Sequence, residues 1–209
     1  MIAQRTPEWH EQRLGKATAS KVSCIVARTK TGPSTMRANY AADLIAERLT
    51  GKPTNGFVSP AMQWGTDHEA EARALYADRC GVQVQECGFV DHPEIQWSGA
   101  SPDGLVDEDG LVEIKCPLTA THLETLLGGP ISGEHLIQVA WQLASTGRAW
   151  CDYVSYDPRL PPPMQIHVRR VQRDVSRILE LEDEVSRFLD EVAEKVERLR
   201  SLYGTEVAA

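Results

Sequence analysis

The stretch SPDGLVDEDGLVEIKCP, residues 101 to 117, carries charges where an alternating apolar pattern leaves little room for them. Asp103 begins one strand-like run and Glu113 lies in the next, with the turn DEDG between, so a hairpin brings both carboxylates to one point. Lys115 is two residues beyond Glu113, and side chains at i and i+2 leave a strand on the same face. Ile114 then points the other way, into the core. Two carboxylates held together repel each other unless a cation sits between them, and oxygen ligands favour a hard ion such as Mg²⁺ or Mn²⁺. A lysine beside that ion suits phosphodiester hydrolysis. The metal polarises a phosphate oxygen and lowers the pKa of a bound water, while the lysine orients or deprotonates that water and steadies developing negative charge. Asp107, Glu108 and Asp109 belong to the turn and read as solvated, with Gly110 at the position that needs positive φ.

The elements around this hairpin follow from caps and periodicity. TPEWHEQR reads as a helix with Thr6 as N-cap and Pro7 at the first helical position. TASKVSCIVAR reads as a second helix capped by Thr18, and STMRANYAADLIAERLTG as a third, capped by Ser34 and stopped by Gly51. SPAMQWGTDHEAEARALYADRCG is the fourth, with Gly81 at its end. Period-two alternation then takes over in VQVQECGFVD, IQWSGASPDGLVD and GLVEIKC. A helix, GEHLIQVAWQLASTG, follows, and two strands, AWCDYVSYD and MQIHVRRVQ, flank the loop PRLPPP. One long amphipathic helix from about Asp174 to Leu202 closes the chain, and the tail after Gly204 reads as loose. The expected architecture is a single α/β domain over 1–209, with a helical N-terminal third (1–81), a catalytic mixed-sheet core flanked by helices (82–172) and the C-terminal helix (174–202).

Composition limits the function classes. The 209 residues are 42% hydrophobic and 25% charged, ordinary values for a globular chain. No apolar signal-peptide core opens the sequence and no run of 18 apolar residues occurs, so a soluble, cytoplasmic protein with no membrane partner is expected. Five cysteines without a C-x-x-C pair argue against a disulfide framework, a structural zinc site or an iron–sulfur cluster. The net charge of −8 hides an uneven distribution. Residues 1–52 hold nine Lys/Arg against four Asp/Glu, whereas 53–173 and 174–209 carry net charges of −8 and −5. A basic segment on an acidic body suits a protein that meets a polyanion on one side, although ordinary surface variation gives similar counts. The six histidines form no H-E-x-x-H or comparable ligand spacing.

Pro102-Asp103, nine residues, then Glu113-Ile114-Lys115 resembles the signature of the PD-(D/E)XK nuclease superfamily. WHEQRLGKATASKV (9–22), WGTDHEAEARALY (64–76), SPDGL…GLVEIKCP and YDPR (156–159) resemble, in order and spacing, the phage lambda exonuclease or YqaJ-type alkaline exonucleases over roughly residues 7–200. The resemblance implies a restriction-endonuclease-like core and a Mg²⁺-dependent exonuclease. Such an enzyme degrades one strand of duplex DNA from its 5′ end and leaves a 3′ overhang for recombination. The enzyme alternative is an endonuclease of the same superfamily, and the non-enzyme alternative is a DNA-end binding module.

Residue by residue, the resemblance implies that Asp103, Glu113 and the backbone carbonyl of Ile114 hold the metal, with help from Glu69, and that Lys115 serves the attacking water. Glu69 and Arg73 are also an i, i+4 pair, which a plain surface ion pair explains. Arg13, Ser20 and Ser101 match positions that grip a terminal 5′-phosphate, chemistry that suits a guanidinium and two hydroxyls. Met62 matches an apolar wedge at the duplex end, or is a core residue. Gln138 and Gln142 both suit a polar helix position beside the site, while the family's glutamine at the position of Ala140 is missing from this chain. The implied partners are 5′-phosphorylated DNA ends, two further copies of the chain in a homotrimeric ring, and a single-strand annealing protein.

Overall fold

The computed structural model describes residues 2–30, 32–54 and 59–204. Its N-terminal part is helical where the caps place it. Helix α1 (Pro7–Arg13) starts at Thr6, whose side chain accepts from the Trp9 N–H. The single helix expected from Thr18 is broken instead. Strand β1 (Ala17–Thr18) leads into a 3₁₀ turn (Ala19–Lys21) and then a short α2 (Val22–Val26), and Thr18 makes no side-chain cap. Pairing explains the break: β1 lies parallel to a later strand, and that ladder claims the backbone groups a helix would use. A two-residue hairpin, β2 (Arg28–Thr29) and β3 (Gly32–Pro33), precedes α3 (Thr35–Thr50), which Ser34 caps and Gly51 ends in the left-handed conformation. Helix α4 (Pro60–Cys80) begins at the Ser59 cap and ends at Gly81, also left-handed.

The alternating runs are divided between two sheets. Strands β4 (Val84–Gln85) and β5 (Val90–Asp91) share one run of sequence, as do β6 (Ser98–Ala100) and β7 (Gly104–Val106). Yet β5 and β6 join β1 in a small sheet, while β4 and β7 join β8 (Gly110–Lys115). Pro102, which has no N–H to donate, stands where the chain passes from one sheet to the other. After β8 comes α5 (Thr119–Leu126), a helix the sequence pattern does not announce, then α6 (Gly133–Thr146), β9 (Trp150–Tyr156), a 3₁₀ turn at Pro162–Met164, β10 (Ile166–Gln172) and α7 (Val175–Tyr203). The larger sheet has the order β10-β9-β8-β7-β4, and only β8 and β9 run parallel. Helices α5 and α6 supply the crossover that a parallel pair requires.

Helices cover both faces of that sheet. Leu111, Cys151 and Tyr153 turn toward α2, α3, α6 and α7, and the buried stripe of α7 runs through Ile178, Leu181, Val185, Phe188, Leu189, Val192 and Val196. Val112, Ile114, Val154 and Tyr156 face the other way, toward Ala72 and Tyr76 of α4. The DEDG turn differs in one respect from its expected geometry: Asp107 takes the positive φ, of 44°. Gly110 is needed for space, since a Cβ there would lie 2.2 Å from the Trp150 indole. All five cysteines are free, and no helix among the described residues is long and apolar enough to cross a membrane. The loose tail expected after Gly204 lies outside the described residues.

Candidate active site

The β7–β8 hairpin does what its spacing demands. Gly104 pairs with Val112, so Asp103 arrives beside Glu113, and its Oδ2 accepts the Ile114 N–H at 2.7 Å. Glu113 and Lys115 share the face turned to α6, while Ile114 is buried on the opposite face. The Lys115 ammonium donates to Glu113 Oε1 at 2.5 Å and to Gln138 Oε1 at 3.3 Å.

Glu113 is only 1% exposed, and a buried carboxylate needs partners for its lone pairs. Helix α6 provides them. Gln138 Nε2 donates to Oε1 and Gln142 Nε2 to Oε2, each at 2.6 Å. Both glutamines therefore bind Glu113, in different ways: Gln142 is fully buried, with its Oε1 left unpartnered, while Gln138 also reaches Lys115. Gln142→Leu should cost about 2–3 kcal/mol in urea unfolding, the cost of stranding a buried charged acceptor. Gln138→Ala should lower turnover more than stability. Equal effects in both measurements for the two variants would contradict this division.

The electrostatics disfavour the charged form of Asp103. Burial, then the Glu113 and Glu69 carboxylates, push the Asp103 pKa well above the ordinary range, against the pull of Lys115 and the Ile114 N–H. The neighbouring Cys116 thiol is raised to about 12 by burial and by Glu69 and Asp103. For Lys115, burial works against the charge, but Glu113 and Asp103 outweigh it and hold the ammonium above its usual pKa. Among the described residues no group of three or more His, Cys, Asp or Glu side chains is gathered as a metal cage. Mg²⁺ does not need one, because it keeps several waters and takes one or two carboxylates. Asp103, Glu113 and the Ile114 carbonyl therefore fit a hard divalent ion in donor type and charge.

Glu69 lies within the electrostatic reach of Asp103, but both its oxygens are engaged: Arg73 holds Oε1 at 2.6 Å and Arg5 holds Oε2. The i, i+4 ion pair exists alongside whatever else Glu69 does. Arg13 and Ser101 are brought together, with the guanidinium donating to Ser101 Oγ at 3.2 Å. Ser20 is exposed on the 3₁₀ turn and, among the described residues, hydrogen-bonds to neither of them. Burial pushes the Arg13 pKa down to about 10, which still leaves it charged at neutral pH. Met62 is 58% exposed in the first turn of α4, so the core alternative for it is excluded.

Several residues around the site have no role implied by the motifs. Trp9 Nε1 donates to Ser101 Oγ at 3.0 Å, and the Arg13 guanidinium stacks 3.9 Å from its ring centre; the i, i+4 spacing of Trp9 and Arg13 was the available hint. Gln4 donates to the Pro102 carbonyl at 2.7 Å, anchoring the peptide before Asp103. Tyr153 stands opposite Glu113 in the parallel register, and its hydroxyl lies 2.7 Å from His135 Nδ1. Burial first, and then the Lys115 charge, lower the His135 pKa. In YDPR, Arg159 grips the buried Asp157 at 2.7 and 2.9 Å, donates to the Pro117 carbonyl and stacks on Trp64. That clasp ties the exit of β8 to the first turns of α4.

Comparison with known proteins shows what the chain is similar to. The YqaJ-like viral recombinase domain matches residues 8–149. An alkaline exonuclease from Laribacter hongkongensis, LHK-Exo, superimposes with a TM-score of 0.88 at 47% identity, covering 95% of this chain and 98% of that one; its complex with dAMP matches equally well. A phage-related exonuclease from Haemophilus somnus 129PT shares the fold at 13% identity, with a TM-score of 0.62 over 86% of this chain and 96% of that one. No curated protein matches significantly. With two thirds of its length inside that domain and its fold shared along nearly all of a 47% identical alkaline exonuclease, the chain belongs to the YqaJ-like viral recombinase family, the group its motifs resemble.

Proposed function

We propose that this chain is a Mg²⁺-dependent exodeoxyribonuclease that digests one strand of duplex DNA from its 5′ end and leaves a 3′ overhang for recombination by single-strand annealing. The observation that carries the reading is the meeting of Asp103, Glu113 and Lys115 at the β7–β8 junction, in a chain 47% identical to an alkaline exonuclease. Asp103, Glu113 and the Ile114 carbonyl would hold the ion, with Glu69 assisting from α4. When bound, the ion polarises a phosphate oxygen and lowers the pKa of a water. Lys115, kept charged by its carboxylate neighbours, donates hydrogen bonds to the incoming water and to negative charge developing on the phosphate. Gln138 and Gln142 hold Glu113 in one orientation throughout. Arg13 and Ser101, with Ser20, take the terminal 5′-phosphate, and the exposed Met62 serves as the wedge at the duplex end.

The resemblance extends this reading to the whole chain. Residues 1–209 act as one nuclease domain in a homotrimeric ring, with the basic segment 1–52 turned toward DNA. A single-strand annealing protein takes up the exposed 3′ strand, and the enzyme works in the cytoplasm of a phage-bearing host.

Linear duplex labelled at its 5′ or 3′ end, incubated with Mg²⁺ or EDTA, tests the activity. Expected is early loss of the 5′ label with Mg²⁺, no product in EDTA, and an intact closed circle. A cut circle would favour an endonuclease, and binding without product a non-catalytic module. Metal binding has its own readout. A raised folded-state pKa for Asp103 contributes stability that is full below its unfolded pKa and is lost as pH rises through the folded value. Mg²⁺ should therefore raise Tm more at pH well above the carboxylate range than within it, and Asp103→Asn should remove most of that shift. A Tm insensitive to Mg²⁺ at every pH would argue against this site.

A further inference from the structure

The loop after α1 and the entry to β6 carry an aromatic side chain the proposed chemistry does not use. Trp97 is 48% exposed, and its backbone sits at φ 60°, a region that bulky residues rarely occupy. The surroundings enforce that conformation. The Trp97 carbonyl accepts the Ala17 N–H at 2.7 Å, at the head of the parallel β1–β6 pair. The Arg48 guanidinium lies 4.4 Å from the ring centre, held by a bond from Nε to the Gly15 carbonyl at 2.9 Å, and its Nη2 is buried without a partner. Gly15 makes room for the stack: at φ 68°, a Cβ there would meet Arg48 Cγ at 2.7 Å and Trp97 Cζ3 at 3.6 Å. Strain of this kind at an exposed tryptophan is characteristic of a functional position.

Its placement indicates the ligand. The two segments that carry the platform also carry the proposed phosphate pocket: Gly15 is two residues past Arg13, and Trp97 is four residues before Ser101. The strand β6 separates Trp97 from Ser101, so the two lie at most about 13 Å apart along the chain, the rise of roughly four base steps. Two of the nearby acids are already engaged. Glu47 accepts from the Gly15 and Thr54 N–H groups, and Asp91 pairs with Lys16. This leaves an indole packed against the basic segment through Arg48 and Gly15, a combination that binds bases of any sequence by stacking while cations track the backbone.

We propose that Trp97, backed by Arg48, is a stacking platform for an unpaired base of the DNA strand running from the terminal-phosphate pocket. The inference rests on the DNA exonuclease reading. It is tested with wild type, Trp97→Phe and Trp97→Leu, using a fluorescein-labelled, 5′-phosphorylated duplex with a single-stranded tail, in EDTA so that binding is read without hydrolysis. Trp97→Leu should weaken binding at least about fivefold and Trp97→Phe no more than about twofold. A second measurement needs no variant: abasic substitution at one tail position should weaken wild-type binding by a similar factor, and neighbouring positions much less. Equal wild-type affinity for every abasic tail overturns the platform, as does an unchanged affinity of folded Trp97→Leu. A smaller assembly in Trp97→Leu at unchanged DNA affinity also overturns it and makes Trp97 a contact between copies. Wild-type protein that neither binds nor digests DNA overturns the exonuclease reading and the platform with it.

Discussion

Lys115→Ala is expected to reduce hydrolysis by about 10²–10⁴-fold or more while the protein folds and binds DNA nearly as before. The ammonium is the one cation hydrogen-bonded to Glu113 among the described residues, and it lies at the end of β8 on the face the proposed metal ligands share. Its loss would remove the donor proposed to orient the water and meet developing charge. Folding survives because the Gln138 and Gln142 amides still satisfy both Glu113 oxygens and no core packing is lost. Lys115→Arg should not rescue activity, since a planar fork cannot replace a compact ammonium between Glu113 and Gln138. Single-turnover cleavage of 5′-labelled duplex, with Tm as the folding control, provides the measurement. Near-normal cleavage by Lys115→Ala would show that the ammonium neither orients the water nor meets the developing charge.

The second large effect concerns direction. A 5′-phosphorylated end should be digested faster than a 5′-hydroxyl end, and Arg13→Ala should erase most of that preference. A phosphate monoester carries close to two negative charges, and charge-assisted hydrogen bonds from Arg13 are worth about 1.5–3 kcal/mol, or roughly ten- to a hundred-fold in rate if realised in the transition state. The structure adds a reason for precision at this position. Arg13 is held from two sides, over the Trp9 ring and against Ser101, which itself accepts from Trp9. Trp9→Phe should therefore weaken the preference partially while Arg13 keeps its charge. The metal requirement should be unaltered in both variants, because the carboxylates come from the sheet and Arg13 from α1. Rates on duplexes differing only in the 5′ group decide the matter; equal wild-type rates on both ends would exclude the pocket.

What sequence alone determined was local. The caps at Thr6, Ser34 and Ser59 and the left-handed stops at Gly51 and Gly81 set helix ends through bonds within a few residues. The period-two pattern around Ile114 was enough to put Glu113 and Lys115 on one face, because strand alternation does not depend on what lies beyond the strand. The tertiary structure decided what depends on residues far apart in the chain. Ala17–Thr18 became a strand because Ser98–Gly99 offered a ladder, overriding the cap pattern that predicted a helix. Gly110 answers to Trp150, forty residues later, rather than to the turn it closes. Helix α5 has no side-chain cap at its start and buries only His122, so periodicity left no trace of it. At the site, the two glutamines matched equally well by spacing. Only the packing of α6 on β8 assigned one to each oxygen of Glu113, because the direction of a side-chain bond is set by the crossing of two elements and not by either sequence alone.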